Sequence, residues 1–325
     1  MINKNHLTLV INPIAGTLTK DGVARWAPQR IEAMGYTVET RLTAGPGDAT
    51  VIAAEAAARG DYGVLACGGD GTINEVARAL VGTQTALGIL PAGSGNGLAR
   101  HIGIPIDVEL SLKVIEANTI AECDYGIVNE RPFFCTFGVG FDAAVSHRFA
   151  QKGKRGFATY IQSAFSEYTN YKSDTYEILA GDEVITDRAF MVAVCNASQY
   201  GNNAFVAPAA SIRDGLLDVT IVHEGNLFTY MLNSIELFAG SIGNHNHIRT
   251  FRTPRLTIRR SGEGPAHLDG ESVILPAELN VSCEHQKLRI FVAPGKQRFR
   301  PILSPIAMTF NDWLIALQRP FRKNK

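Results

Sequence analysis

The sequence predicts an α/β fold in which a parallel sheet in the first part is followed by a strand-rich second part. In residues 7–120, short β-branched runs alternate with longer helical patterns, an order typical of parallel βαβ units. After residue 122 the runs are short and aromatic and are punctuated by Gly, Asn and Asp, which indicates antiparallel strands. The 325 residues are long enough for two domains of ordinary size.

The first part is predicted to contain four strands, at residues 7–12, 36–42, 62–67 and 86–90. Its clearest helix covers residues 48–59, because Asp48 is a capping residue at its start and Gly60 follows its end. An earlier helical pattern contains Pro28, which predicts a kinked or shortened helix.

The second part is predicted to contain strands at residues 132–137, 190–195, 217–222, 256–259 and 288–292, with helices at 157–171 and 227–239. A last amphipathic helix is predicted over 305–317, and we expect this C-terminal segment to return to the first domain. The predicted domains are therefore 1–122, 123–297 and a C-terminal segment, 298–325.

Composition excludes several classes of protein. Lys plus Arg and Asp plus Glu both number 31, so no net charge favours nucleic acid as a partner. Five cysteines without a CxxC pair argue against a disulfide framework and a structural zinc, and favour a reducing compartment. No apolar run reaches 18 residues, so we expect a cytoplasmic protein that at most binds peripherally to the inner face of the membrane.

Three glycine-rich loops follow predicted strands, in segments 11–16 (INPIAG), 66–76 (ACGGDGTINEV) and 90–100 (LPAGSGNGLAR). Ligands of open α/β sheets bind at the carboxyl ends of the strands, where glycines allow close approach and free helix amides bind phosphate. A tight turn explains any one of these loops, but three together favour a phosphate site. Asp70 within the second loop would repel phosphate unless a cation or a hydroxyl proton lay between them.

Two further motifs lie in the second part. Segment 138–143 (GVGFDA) imitates a dinucleotide fingerprint, but no βαβ unit is predicted there. Segment 266–271 (AHLDGE) places the carboxylates of Asp269 and Glu271 on either side of a glycine, although a plain hairpin turn has the same pattern. The Walker A pattern and the protein-kinase HRD and DFG motifs do not occur, so the site requires another phosphate-binding scaffold.

In order and approximate spacing, INPIAG, GGDGTINEV, PAGSGNGLAR and LDGE resemble the diacylglycerol kinase catalytic-domain family, which includes bacterial soluble lipid kinases, sphingosine kinases and ceramide kinases. The resemblance covers nearly the whole chain. It implies an NAD-kinase-like nucleotide-binding α/β domain, a β-sandwich-like second domain and an active site between them.

The resemblance also implies residue roles. Asp70 would lie near Mg²⁺ and the acceptor hydroxyl, Asp269 would be the general base, and Glu271 would help to hold Mg²⁺ or orient the site. The residues that resemble the family's ATP site are Asn12, Thr43, Gly68, Gly69, Asp70, Gly71, Thr72, Asn74, Gly93, Ser94 and Asn96.

A structural Mg²⁺ is also implied in the second domain, with the Asp214 side chain and the carbonyls of Ser211 and Leu216 as ligands. A plain Asp-Gly turn explains the same residues. The third loop departs from the bacterial diacylglycerol kinase pattern, because Gly97 stands where an aspartate is usual. This loop is closer to that of sphingosine and ceramide kinases, so the acceptor is open between a diacylglycerol-like and a sphingoid lipid.

We therefore expect an ATP- and Mg²⁺-dependent lipid kinase that meets its substrate at a membrane surface, either as a monomer or as a homodimer. Residues 296–325 contain seven basic residues and one acidic residue, which suits either docking on anionic headgroups or a solvated basic face. Two alternatives remain open: a soluble-metabolite kinase of the NAD-kinase type, and a catalytically silent nucleotide- or lipid-binding regulator.

Overall fold

The computed structural model describes residues 3–15, 22–151 and 171–295. The C-terminal segment 298–325, with its predicted helix, lies outside the described residues, as does the predicted helix 157–171 except for its last residue. Within the described part of the chain, no helix is long and apolar enough to cross a membrane.

The first part of the chain alternates strands and helices, as the sequence predicts. Its elements are β1 (Asn3–Ile11), α1 (Gly22–Ala33), β2 (Thr37–Leu42), α2 (Asp48–Arg59), β3 (Asp61–Gly68), α3 (Asp70–Leu80), β4 (Ala86–Pro91), α4 (Gly97–His101) and α5 (Val108–Glu116). The four strands pair in parallel in the order β4-β3-β1-β2. All six residues of β4 are buried, as expected for a parallel strand covered on both faces.

Tertiary contacts modify two of the predicted helices. α1 continues past Pro28 to Ala33, since Val23, Ala27 and Ile31 bury one face along its length. α2 has the predicted bounds, but the predicted cap is wrong. The Asp48 carboxylate accepts hydrogen bonds from the preceding loop, at Ala44 and Gly45, rather than from its own helix.

The second part is antiparallel. Its elements are β5 (Ile120–Val128), β6 (Arg131–Phe133), β7 (Thr136–Gly140), α6 (Phe141–Gln151), β8 (Asp174–Ala180), β9 (Glu183–Cys195), β10 (Leu217–His223), α7 (Leu227–Ala239), β11 (Ile248–Thr253), β12 (Arg255–Arg259), β13 (Gly264–Leu268), β14 (Glu271–Leu275) and β15 (Glu278–Phe291). The predicted strand 132–137 is wrong as a single element, since β6 and β7 flank a break at Phe134 and Cys135. The N–H groups of Phe134 and Cys135 donate to the Asp269 carboxylate.

The long strand β15 joins the two parts. It pairs antiparallel with β12 and β5, and near its end Ile290 pairs in parallel with Leu87 of β4. The strands therefore form one continuous hydrogen-bonded network, and the domain boundary predicted after residue 122 falls inside β5. The two largest apolar clusters of the described residues lie on this network. One is centred on the first part but includes Leu288, Ile290 and Phe291 of β15, and the other lies in the second part.

Candidate active site

The second and third glycine-rich loops are packed against each other at the carboxyl ends of β3 and β4. A Cβ atom on Gly93 would lie 2.5 Å from Gly69 Cα, so only glycine permits this approach without a shift of the backbone. A Cβ on Gly68 would lie 2.5 Å from Thr72 Oγ1. The loops therefore form a joint surface, as expected if both serve one ligand.

Asp70, the first residue of α3, bonds to the third loop. Its carboxylate accepts hydrogen bonds from the Asn96 N–H at 2.9 Å and the Gly97 N–H at 2.7 Å. A Cβ on Gly95 would lie 2.7 Å from Asp70 Oδ2. Burial raises the pKa of Asp70, while the two amides act in the opposite direction. Gly97 thus contributes a backbone donor at the position where the family pattern has a carboxylate.

Side chains fix the shape of the third loop. Asn96 has φ 52° and its amide group bonds both the N–H and the carbonyl of Gly93. Arg100 Nε donates to the Gly95 carbonyl at 3.0 Å. Ser94 is exposed at the tip, where its hydroxyl is accessible to a ligand.

The first loop lies beside the second. Asn12 Nδ2 donates to Thr72 Oγ1 at 3.0 Å, and the N–H of buried Thr43 donates to the Ile11 carbonyl. Asn74 is 3% exposed, and within the described residues its Nδ2 has no hydrogen-bond acceptor. A buried donor without a partner is costly, and because this atom is closed to solvent it could reach a ligand only after a local movement.

Glu75 is a positioning residue whose role the sequence pattern does not predict. Its carboxylate accepts the N–H groups of Gly47 and Ala49 at 3.0 and 3.1 Å, and thereby caps α2 from the neighbouring helix α3. This bond ties the loop that carries Thr43 to the loop that carries Asp70. The feature of the sequence that could have pointed to Glu75 is its position within the GGDGTINEV segment.

The Asp269 carboxylate is held by three consecutive backbone amides. Oδ1 accepts the N–H groups of Cys135 at 2.6 Å and Thr136 at 2.8 Å, whereas Oδ2 accepts only that of Phe134, at 2.8 Å. Oδ2 therefore retains a lone pair. Burial raises the pKa of Asp269 to about 6 although the three amides and His267 lower it. A pKa in this range suits a group that accepts a proton near neutral pH.

The carboxylate turn and the glycine-rich loops meet across the junction of the two parts. Glu271 accepts a hydrogen bond from Arg78 of α3 at 3.2 Å, and a Cβ on Gly71 would lie 3.3 Å from Glu271 Oε1. On the other side, a Cβ on Gly97 would lie 3.4 Å from Cys135 Sγ. The predicted catalytic residues Asp70, Asp269 and Glu271 are thus brought to one junction.

The donors and acceptors at this junction suit magnesium phosphate chemistry. The half-buried Asp70 carboxylate and the exposed Glu271 carboxylate offer oxygen ligands of the kind that Mg²⁺ prefers, and the helix amides suit phosphate. Among the described residues, no group of three or more His, Cys, Asp or Glu side chains forms a metal cluster. A site for Mg²⁺ here would rely on one or two carboxylates and substrate phosphates.

The predicted structural metal site in the second part contains an ion pair. Arg252 bonds to the Asp214 carboxylate and, at 3.2 Å, to that of Asp218, its cross-strand partner. The Leu216 N–H also donates to Asp214 at 3.2 Å. A cation bound to Asp214 with the carbonyls of Ser211 and Leu216 would have to share or displace this guanidinium. The second metal is therefore implied by the family resemblance alone, and the ion pair competes with it.

Comparison with protein families assigns the two parts separately. Residues 6–128 match the model described as the diacylglycerol kinase catalytic domain. Residues 136–292 match the model described as the YegS C-terminal NAD kinase beta sandwich-like domain. The predicted fold class is confirmed.

Individual relatives agree with these matches. A Cronobacter sakazakii protein named "probable lipid kinase YegS-like" is 29% identical over 90% of this chain and 94% of its own. A Yersinia enterocolitica protein of the same name is 30% identical over 82% of this chain and 90% of its own. The Bacillus subtilis diacylglycerol kinase is 29% identical over 83% of this chain and 91% of its own. The fold is shared with a Bacillus anthracis structure described as a diacylglycerol kinase, at 19% identity and a TM-score of 0.71 over 90% of this chain and 99% of that one.

Proposed function

This chain belongs to the diacylglycerol kinase catalytic-domain family of lipid kinases, and we propose that it transfers the γ-phosphate of ATP to a hydroxyl of a diacylglycerol-like or sphingoid lipid. The observation that carries the proposal is the Asp269 carboxylate, held by three amides beside the glycine-rich loops with a lone pair left on Oδ2. A protein that only bound nucleotide would have no need of such a base.

The first part of the chain would bind the nucleotide. The amides of the Gly68–Thr72 loop and those of Ser94 and Gly95 suit the phosphates. Asn12 and Thr43 border the same surface. Mg²⁺, when bound with ATP, would neutralise phosphate charge, and Asp70 and Glu271 are the residues that would hold it. Positioning and charge neutralisation supply most of the rate in phosphoryl transfer.

The second part would supply the base. Asp269 Oδ2 takes the proton of the lipid hydroxyl as that oxygen forms its bond to the γ-phosphorus, and the bond from this phosphorus to the β-phosphate oxygen breaks. The products are ADP and the phosphorylated lipid, while the proton remains on Asp269 until it is released to solvent. The three amides keep the carboxylate oriented throughout this step.

The exposed face of α7 favours a lipid over a soluble acceptor. Leu227, Phe228, Met231 and Ile235 are 52%, 68%, 58% and 40% exposed, at helical spacing. Tyr230 of the same helix stacks on Phe190, with 3.9 Å between the ring centroids. A row of exposed apolar side chains along one helix suits contact with a lipid surface.

The test is the transfer of labelled γ-phosphate from ATP into mixed micelles that contain diacylglycerol, sphingoid base, ceramide, monoacylglycerol or phosphatidylglycerol. Label in one lipid would support the proposal and identify the acceptor. Label in NAD alone, included as a soluble control, would assign a soluble-metabolite kinase instead. ATP binding without transfer to any acceptor would favour a silent regulator.

A further inference from the structure

A buried polar network lies directly behind the Asp269 turn. The Asp142 Oδ2 atom is 3.0 Å from His267 Nε2 and accepts the Tyr200 hydroxyl at 3.0 Å, while Oδ1 accepts the Ala143 N–H at 2.8 Å. The His267 and Asp142 side chains are only 2% and 6% exposed. None of these side chains has a place in the phosphoryl transfer described above.

The hydrogen bonds fix the orientation of the His267 ring. The Gly270 N–H donates to His267 Nδ1 at 3.4 Å, a long bond, so Nδ1 is the acceptor and the ring proton lies on Nε2. Nε2 then donates to Asp142. The imidazole thus connects a buried carboxylate to the backbone of the residue that follows Asp269.

The neighbouring strand leaves space for this arrangement. Gly138 of β7 lies opposite His267 of β13, and a Cβ on Gly138 would lie 2.3 Å from Asp142 Oδ2 and 2.4 Å from His267 Nε2. Any larger residue would collide with the pair. Gly138 begins segment 138–143, so the network explains one glycine of a motif that imitates a dinucleotide fingerprint.

We propose that His267 is a positioning residue for the phosphoryl transfer, which holds the Asp269–Gly270 turn through the Gly270 N–H while Asp142 and Tyr200 hold its ring. This inference rests on the proposed role of Asp269 as the base. Asp269 and Gly270 have φ 53° and 85°, both in the left-handed region, so the turn relies on surrounding contacts to keep this conformation.

The test compares His267→Gln with His285→Gln. His285 is the matched control, because its Nδ1 bonds the buried Asp124 carboxylate at 2.8 Å. Asp124 accepts the N–H groups of Gly215 and Gln286, so this pair lies apart from the Asp269 turn. We expect His267→Gln to lower kcat by about tenfold or more, with little change in KM for ATP. His285→Gln should leave both constants unchanged.

Tyr200→Phe is the second variant if His267→Gln does not fold, and we expect it to lower kcat to a smaller extent, again with little change in KM for ATP. A folded His267→Gln protein with wild-type kcat would overturn the inference. Absence of transfer by the wild-type protein would reject the proposed function and, with it, the role of His267.

Discussion

Asp269 has the environment of a carboxylate that is fixed in place yet able to accept a proton. Three amides from residues 134–136 orient it, and burial raises its pKa to about 6. The same three bonds interrupt the strand that the sequence predicts over 132–137. The local pattern could not show this break, because the bonding partner lies more than 130 residues along the chain.

The pKa of Asp269 makes a testable prediction about pH. The base must be ionised, so kcat/KM should fall as pH decreases through about 6, and it should be on a plateau above that value until another group titrates. The measurement is a pH profile of lipid phosphorylation at saturating Mg²⁺. An acid limb near the ordinary aspartate pKa of 3.8 would contradict the environment described here.

The same shift has a consequence for stability. Because the folded pKa is raised above the unfolded value, the folded protein binds this proton more tightly, and the resulting stabilisation is lost as pH rises through about 6. The ionised carboxylate therefore costs stability at neutral pH, as is common at functional sites.

Arg252 gives a prediction about metal. Its guanidinium already pairs with Asp214 and Asp218, so we expect EDTA to leave the Tm of the wild-type protein unchanged. Arg252→Met should lower the Tm and make it rise with added Mg²⁺, since two carboxylates would then lack a cation. Thermal unfolding with EDTA, Mg²⁺ or neither is the measurement. A fall in the wild-type Tm in EDTA would indicate a metal beside Arg252, as the family resemblance implies.

At the level of secondary-structure elements, the local sequence predicts the bounds of a helix when residues within and next to that helix determine where it begins and ends. α2 has the predicted bounds 48–59, because an alanine-rich segment ends at Gly60 in a left-handed conformation. Its cap was not predictable, since Glu75 of α3 binds the first amides of α2. This contact depends on how α2 and α3 pack against each other. The periodicity of apolar residues in the sequence carries no information about that packing.

The α7 face makes a prediction about lipid access. Replacing Phe228 and Met231 with Ser should weaken binding to lipid vesicles and raise the KM for a vesicle-bound acceptor, while kcat on a short-chain soluble analogue should be unchanged. A matched control is Val184→Ser, an apolar residue 60% exposed on β9. Vesicle sedimentation and assays with both acceptors are the measurements. Equal effects of the α7 and control variants would argue against a lipid contact through α7.

At the scale of the whole molecule, the site exists only where the two parts of the chain meet. The three glycine-rich loops lie at one sheet edge, as expected from the rule that ligands bind at the carboxyl ends of parallel strands. That rule concerns only the parallel strands of the first part, so it could not predict that the LDGE turn of the second part lies against these loops. The contacts of Glu271 with Arg78 and Gly71, and of Cys135 with Gly97, depend on β15 returning from the second part to pair with β4.

The most direct test of the account is to measure ATP binding and phosphoryl transfer together in Asp269→Asn. The first part should still bind ATP with wild-type affinity, because Asp269 belongs to the opposite side of the junction. Transfer to the lipid hydroxyl should fall by about a hundredfold or more, since the base is lost. Asp182→Asn, in the exposed turn between β8 and β9, is the control and should retain both properties. Wild-type transfer by a folded Asp269→Asn protein would contradict the assignment of the base.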